Sequence, residues 1–503
     1  MSSEFSSSQS FGLAPVLPRL LSGPTSIADD NLLQTSNGVG TTTQVYKEMM
    51  ARWELVIHLM GGTLAMRVAK TKYLPQEEGE EPTLYDARLV RTILYGIYSR
   101  TIKSLSAIPF IDPIICTDIP EELDYLKTHA TDEKLSLAEL AQDILEDALN
   151  FGLGHFLVDF PVVPSGLNLK EERDLGAKPF FARISPVNLI GWKFEDGTLT
   201  EIRIYEYSTE QDTDFLEVPV HKIRVVTPEF HTIFTLQETK DQGGKATSGW
   251  VQTEQRTNKL GYVGLVTTYG NKDGAPLTGT PVMEELAWLN LRHYQKQSDL
   301  DNIEHVANTP VLFASGFNED ELNDIVVGSH SLIGTTAELA DLKYVEHTGA
   351  AIAASQNSIK AIEQRAAEMG AEFLAQPAGS RQTAYAKSVD TGKSLSILQA
   401  IVNNLSRSLE RGYVIAGDWI NLDQQKLANT GVKVGEGIDL SLDSNDLAQL
   451  RELAKDGYLT TLSLQYELQR RGKISDSTEL VDPQRSENND VSGDDGNGNE
   501  GDS

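Results

Sequence analysis

The sequence predicts an α+β fold: long helices, a mostly antiparallel sheet region and, between two of the long helices, a small α/β unit. Three observations carry this. Between Thr280 and Leu422, three long stretches repeat apolar residues at steps of three and four, the period of an amphipathic helix. From Gly152 to about residue 275, short apolar or alternating runs are separated by Gly, Pro, Asp and Asn, which is the pattern of short strands and turns. Finally, Gln376-Pro377-Ala378-Gly379-Ser380 interrupts the helical block, because proline and glycine stop helix propagation.

In chain order, residues 1–40 are rich in Ser, Thr, Gly and Pro and read as a mobile arm. A helix from Thr43 carries Tyr46, Met49, Met50 and Trp53 and ends near Gly61-Gly62; QEEGEEP after Pro75 is an acidic turn. Tyr85 to Ser106 reads as one helix, with Leu89, Ile93, Ile97 and Ile102 inward. Its Arg88, Arg91, Arg100 and Lys103 form a solvated face, or stand open to DNA or a neighbour's acids. A third helix spans Ser136 to Asn150, with Ser136 as N-cap and Glu139 at the capping-box spacing. Strand-like runs follow from Gly152. Asp196-Gly197 marks a hairpin, and TLQETKDQGGKATSGWVQ reads as an exposed hairpin tip.

The first long helix, over 280–308, places Val282, Leu286, Leu289, His293, Leu300 and Ile303 on one stripe. The insert 309–347 contains two strand-like runs, TPVLFASGF and DLKYVEHTG, around a short helix NEDELNDIVVG. The second long helix, over 348–374, aligns Ile352, Ile359, Ile362, Ala366, Met369 and Phe373. The third, over 384–422, aligns Leu398, Val402, Leu405, Leu409 and Ala416. Residues 423–473 read as a strand and two short helices ending at Gly472. The acidic, Gly- and Asn-rich 474–503 lacks apolar anchors and reads as disordered.

Length and composition narrow the function classes. A chain of 503 residues buries several cores, and 40% hydrophobic content is ordinary for a soluble protein. No stretch approaches the ~20 uninterrupted apolar residues of a membrane helix, and the first residues lack the basic start and apolar block of a secretory signal. The lone Cys116, beside Ile114 and Ile115, reads as a small buried apolar residue in a protein of a reducing cytosol. It excludes an internal disulfide and a multi-cysteine zinc site. The net charge of −30 runs against ordinary DNA binding, which draws its affinity from clustered Lys and Arg.

Catalytic and nucleotide motifs are missing. GGKAT at Gly243 has neither the upstream glycine nor the Ser or Thr after lysine that a phosphate loop needs. Gly152 and Gly154 form only a fragment of a dinucleotide fingerprint, and GSHSLIG at Gly328 lacks the central serine of a nucleophile elbow. There is no HExxH; His293, on an apolar stripe, reads as a buried, hydrogen-bonded core histidine. Carboxylates are too numerous for any pair to single out a glycosidase. The expectation is that the protein is not an enzyme and uses no metal or cofactor.

The order helix, small insert, returning helix, broken loop, long helix resembles the core of tailed-bacteriophage portal proteins, the head-to-tail connectors. WELVIHLMGGTLAMRVAKTKYLPQ and YDARLVRTILYGIYSRTIKSL are similar to the N-terminal part of a subgroup of them. The resemblance covers roughly Thr41 to Gly472 and is a pattern of elements rather than a diagnostic motif. It implies a wing over 41–279, stem helices over 280–308 and 348–374, and a clip over 309–347. A tunnel loop over 375–383, a long wing helix over 384–422 and a helical crown over 423–473 complete the fold.

It also implies function: a ring of twelve subunits at one capsid vertex, passing double-stranded DNA non-specifically inward at packaging and outward at ejection. The ring would be assembled in the host cytoplasm and carried in the virion. The implied partners are the large terminase, major capsid and scaffolding proteins, and head–tail adaptors, with no membrane. In a channel through which DNA slides, an acidic surface avoids holding the strand; the same charge also serves an acidic soluble protein of any kind.

Two sets of residues follow as candidate sites. Gln376, Ser380, Arg381 and Gln382 would point into the channel from the tunnel loop, with one Arg per subunit touching phosphate weakly; an ordinary surface turn is the competing reading. Glu319, Asp320, Glu321 and Asp324 would dock a basic partner at the clip edge, or simply form a solvated helix face. The small residues Ala350, Ala351, Ala353, Ala354, Ala361, Ala366 and Ala367 exceed what one intramolecular seam needs, so a neighbouring subunit is expected there, although alanine also simply favours helix. The alternatives are a head-to-tail adaptor or minor head protein, which the length disfavours, and a hydrolytic enzyme.

Overall fold

The computed structural model describes residues 38–161, 177–213, 215–240, 246–307, 311–316, 341–345, 350–372 and 397–435. The fold is α+β. Helix α1 (Gln44–Met60) starts at the N-cap Thr43, whose hydroxyl accepts from Tyr46 N, and buries Tyr46, Met49 and Trp53. Gly61 ends it, and a short α2 (Gly62–Ala69) follows directly.

The single helix expected over 85–106 is two: α3 (Pro82–Arg91) and α4 (Ile97–Ala107). The break at Thr92–Gly96 survives because outside groups satisfy its backbone. Leu94 N donates to Thr63 Oγ1, and Tyr98 N donates to Oδ1 of the buried Asn290, whose Nδ2 donates to Tyr95 O at 2.8 Å. Ile93, expected inward, lies in the break and is 63% exposed. Arg88 also departs from the solvated face expected of it. It is 3% exposed and forms a bidentate pair with Glu80 of the acidic turn, at 2.8 and 2.7 Å, while donating to Pro75 O. The pair explains the burial: a guanidinium is tolerated inside when its fork is filled.

After β1 (Ile115–Thr117), helix α5 (Leu137–Phe151) begins with the expected capping box, Ser136 with Glu139. It ends at Gly152, whose φ of +80° is left-handed. A three-stranded antiparallel sheet has the order β3 (Phe180–Ile184), β2 (Leu153–Asp159), β9 (Leu265–Tyr269). A five-stranded meander runs β4 (Leu189–Glu195), β5 (Thr198–Thr213), β6 (Leu216–Val226), β7 (Phe230–Lys240), β8 (Ala246–Thr257). Asp196 and Gly197, both at positive φ, make the expected two-residue turn between β4 and β5. The tip expected between β7 and β8 joins paired strands, and its residues 241–245 lie outside the described ones.

Register sorts the side chains of β2. Phe156 and Val158 face α5 and the long helix α8 (Ile397–Trp419), in one cluster with Phe181, Leu398, Val402, Leu405 and Leu409. His155, Leu157 and Asp159 point the other way, where Leu157 and Ile184 pack on Ile202, Ile204 and Val226 of the meander. The body is therefore layered: helices, a three-stranded sheet, then a five-stranded sheet. The stripe expected on the third helix is buried throughout. After α8, α9 (Gln424–Leu427) and β12 (Gly431–Lys433) pack back onto it. Cys116 pairs opposite Val432 in the two-stranded β1–β12 ribbon. It is half-buried rather than buried, since such a ribbon leaves one face open, and burial pushes its thiol pKa up. Among the described residues no helix is long and apolar enough to cross a membrane.

Candidate functional site

The two long helices α6 (Glu284–Ala307) and α7 (Ala350–Glu372) pack side by side. Their direction follows from paired side chains. His293 Nε2 is 3.2 Å from Glu363 Oε1, and Gln356 Nε2 donates to Glu304 Oε1, so the helices run antiparallel. Between them β10 (Val311–Ser315) and β11 (Asp341–Val345) pair antiparallel.

The expected stripe on α6 is present and wider than predicted. Leu286, His293 and Leu300 are buried and Val282, Leu289 and Ile303 half-buried, but Ala287, Asn290, Leu291, Tyr294 and Ser298 are buried too. The reason is that α6 packs on α1, α3 and α4 as well as α7. His293 is the buried, hydrogen-bonded histidine expected, with Tyr95 stacked on it at 5.5 Å. On α7, Ile359, Ile362 and Ala366 face inward, whereas Ala353, Ala354, Ala361 and Ala367 are exposed.

The predicted site residues lie outside the described residues. Glu319, Asp320, Glu321 and Asp324 fall between β10 and β11; Gln376, Ser380, Arg381 and Gln382 fall between α7 and α8. The Glu304–Gln356 end of the helix pair leads to β10 and β11, and the other end of α7 lies against α4, where Gly370 is beside Thr101.

A second constellation was not predicted. Asp159, 1% exposed at the end of β2, accepts from Arg224 Nη1 at 2.8 Å, Arg256 Nη2 at 2.5 Å and Phe160 N at 2.8 Å. Arg256 also donates to Phe160 O and, at 3.1 Å, to His231 Nδ1, while Arg224 Nε reaches Glu206. Arg224 and Arg256 come from β6 and β8, and His231, held through Arg256, from β7, so one carboxylate ties the three-stranded sheet directly to two strands of the meander and through Arg256 to a third. The one signal in the sequence is a charged residue ending the apolar run HFLVDF.

The cleft above it, about 490 Å³, is lined by Phe160, Phe180, Ile233, Thr253 and Glu254 besides the charged cluster, with no Ser or Cys in the lining. The arginines' charge is taken up by carboxylates, and burial lowers His231 to about 4, so its imidazole is neutral and accepts from Arg256. The cluster is built to join two sheets. Among the described residues no group of three or more His, Cys, Asp or Glu is placed to hold a metal ion.

The lowered His231 pKa makes stability depend on pH. The unfolded imidazole binds a proton near 6.5 and the folded one near 4, so the contribution is complete above 6.5 and is lost as pH falls from 6.5 towards 4. It amounts to on the order of 3 kcal/mol over that window. His231→Gln is expected to flatten the fall of the thermal midpoint between pH 7 and pH 4.5; an unchanged slope would show that His231 is not its source.

The chain matches the model of a domain of unknown function, DUF4055, over residues 282–420, the span from α6 through α8. No match is found among curated proteins. The chain is similar to a chain of the virion of the native gene transfer agent (GTA) particle, at 12% identity and a TM-score of 0.38, over 81% of this chain and 98% of the other. It is similar to a chain of the neck of the empty GTA particle computed with C6 symmetry, at 13% identity and 0.37, over 80% and 97%. A chain of the neck of the native particle computed with C12 symmetry is similar at 12% identity and 0.36, over 74% and 89%.

Proposed function

We propose that this chain is a structural component of a phage-like virion, and specifically a portal subunit. As such it would form a ring at one capsid vertex through which double-stranded DNA enters and leaves. The observation that carries this reading is the antiparallel α6–α7 pair, with the β10–β11 pair at one end and a chain returning to α8, inside the body, from the other. That order corresponds to stem, clip, stem, tunnel loop and wing helix.

Two surface features support association of copies. Ala353, Ala354, Ala361 and Ala367 line an exposed face of α7 on which another helix can approach closely, and Trp288 of α6 is also exposed. A face that meets a different face of an identical chain closes into a ring when the rotation permits, and twelve copies is the number the portal resemblance implies. The protein acts by position rather than catalysis. Its −30 charge keeps DNA from adhering to the channel, and Glu319, Asp320, Glu321 and Asp324 offer the terminase or an adaptor an acidic edge. Capsid and scaffolding proteins meet the body.

In this reading Arg381 touches passing phosphates. Arg381→Ala is expected to leave assembly intact and to change the amount of DNA packaged or retained, measured as protected DNA per particle. Unchanged packaging and retention would remove Arg381 from the channel.

A further inference from the structure

The β5–β6 hairpin is longer than the sheet that holds it. β4 pairs with β5 only over residues 198–204, and β7 with β6 only over residues 222–226. Beyond these, β5 and β6 pair with each other alone, out to Thr213 opposite Leu216. Leu216 stands six residues before Lys222, so a two-stranded ribbon runs about 20 Å past the last strand bonded beside it. At its end Phe215 is 98% exposed, and Leu216 is exposed as well. Two strands paired alone are marginally stable in water, and apolar side chains at their tip stabilise nothing until another surface covers them.

A surface of matching chemistry lies on the N-terminal helices. Arg67 of α2 donates to Val90 O and, at 3.4 Å, to Thr92 O, and Thr63 Oγ1 accepts from Leu94 N. These bonds lay α2 along the end of α3 and the break after it, and Leu64, Val68, Val90 and Ile93 are all exposed there. Charge is complementary too. Residues 62–76 and 87–107, which carry this patch, contain no Asp or Glu, and Lys70, Arg91 and Arg100 are exposed among them. Residues 204–221, which form the ribbon, contain no Lys or Arg, and Glu217 is exposed beside Leu216. In a chain of net charge −30, the patch is a place where an acidic tip is not repelled.

We infer that Phe215 and Leu216 of one copy of this chain dock on the patch of Leu64, Val68, Val90 and Ile93 of the next copy. The inference rests on the ring proposed above and names a contact that holds it together. Tip and patch are unlike surfaces on different elements, so each copy offers one of each, the arrangement that propagates from subunit to subunit around a ring. The apolar contact supplies affinity, while the opposite charges around it select this face and speed encounter.

The test is disulfide trapping in the full chain with Cys116→Ser, pairing Phe215→Cys or Leu216→Cys with Val90→Cys or Ile93→Cys in one chain. A ladder of covalently linked chains on a non-reducing gel is the expected result, with each single-cysteine chain staying unlinked. A disulfide within one chain, seen as a single-chain species with the mass loss of two hydrogens, would fold the tip onto its own patch and overturn the inference. Annular particles without any disulfide overturn this contact and leave the ring standing; single subunits throughout, in the unaltered protein as well, overturn both. Phe215→Asp gives a second readout, since a side chain so exposed alters no internal packing. Its thermal midpoint is expected to be unchanged, while the protein concentration needed for assembly, followed by sedimentation, rises at least about tenfold. Assembly at the unaltered concentration overturns the inference as well.

Discussion

Gly152→Ala is expected to prevent the body from folding, with a loss of more than about 4 kcal/mol and little soluble protein. Gly152 closes α5 and starts β2 at a φ of +80°, and its carbonyl oxygen accepts from Gly270 N and Asn271 N, both at 2.9 Å. A β-carbon would overlap the backbone nitrogen and oxygen of Thr280 and lie 2.8 Å from Asn271 O. None of these atoms can swing aside, because Thr280 N is bonded to Asn271 O and Val282 N to Leu149 O. Moving them would pull the start of α6 from the end of α5. Gly197→Ala is the control. Its φ is +78° but its β-carbon meets nothing within 4 Å, so only the left-handed conformation is penalised, at about 1–2 kcal/mol. Similar losses for the two variants would show that backbone conformation, not the close approach of Thr280, governs Gly152.

Asp159→Ala is expected to cost about 3–5 kcal/mol, because it strands Arg224 and Arg256 beside an apolar interface. The loss should concentrate in the meander, which the carboxylate joins to β2. Trp419 reports on it directly: its Nε1 donates to Val158 O at 3.0 Å and its ring stacks on Phe160 at 5.6 Å. Denaturant unfolding followed by tryptophan emission should show the lower midpoint, and proteolysis should cut first within β4–β8. Arg256→Met should cost less, since Arg224 and Phe160 N still hold the carboxylate. Equal stability of Asp159→Ala and the unaltered protein would mean that apolar contacts alone hold the sheets together.

What could be read from sequence was local. The capping box at Ser136, the turn at Asp196-Gly197, the stripe on α8 and the two strands of the insert depend on neighbouring residues, and all are present. The features that escaped depend on distant partners. Apolar spacing runs unbroken through 85–106, and only Asn290, some 190 residues away, makes the break at Thr92–Gly96 tolerable. Arg88 looked solvated because its partner Glu80 belongs to a turn that reads as purely polar. The Asp159 cluster gathers residues from four strands and exists only once two sheets stack. Gly152, which in the sequence stands out only as part of a fragment of a dinucleotide fingerprint, is required by close chain approach. The tunnel-loop and clip residues follow from composition and resemblance alone, and they lie outside the described residues.

The central claim is that copies of this chain close into a ring around a hole. Electron microscopy of the purified full-length protein at micromolar concentration tests it most directly. The account predicts annular particles with a central channel and cyclic symmetry, which twelve subunits would give. A field of single-subunit particles with no channel would contradict it.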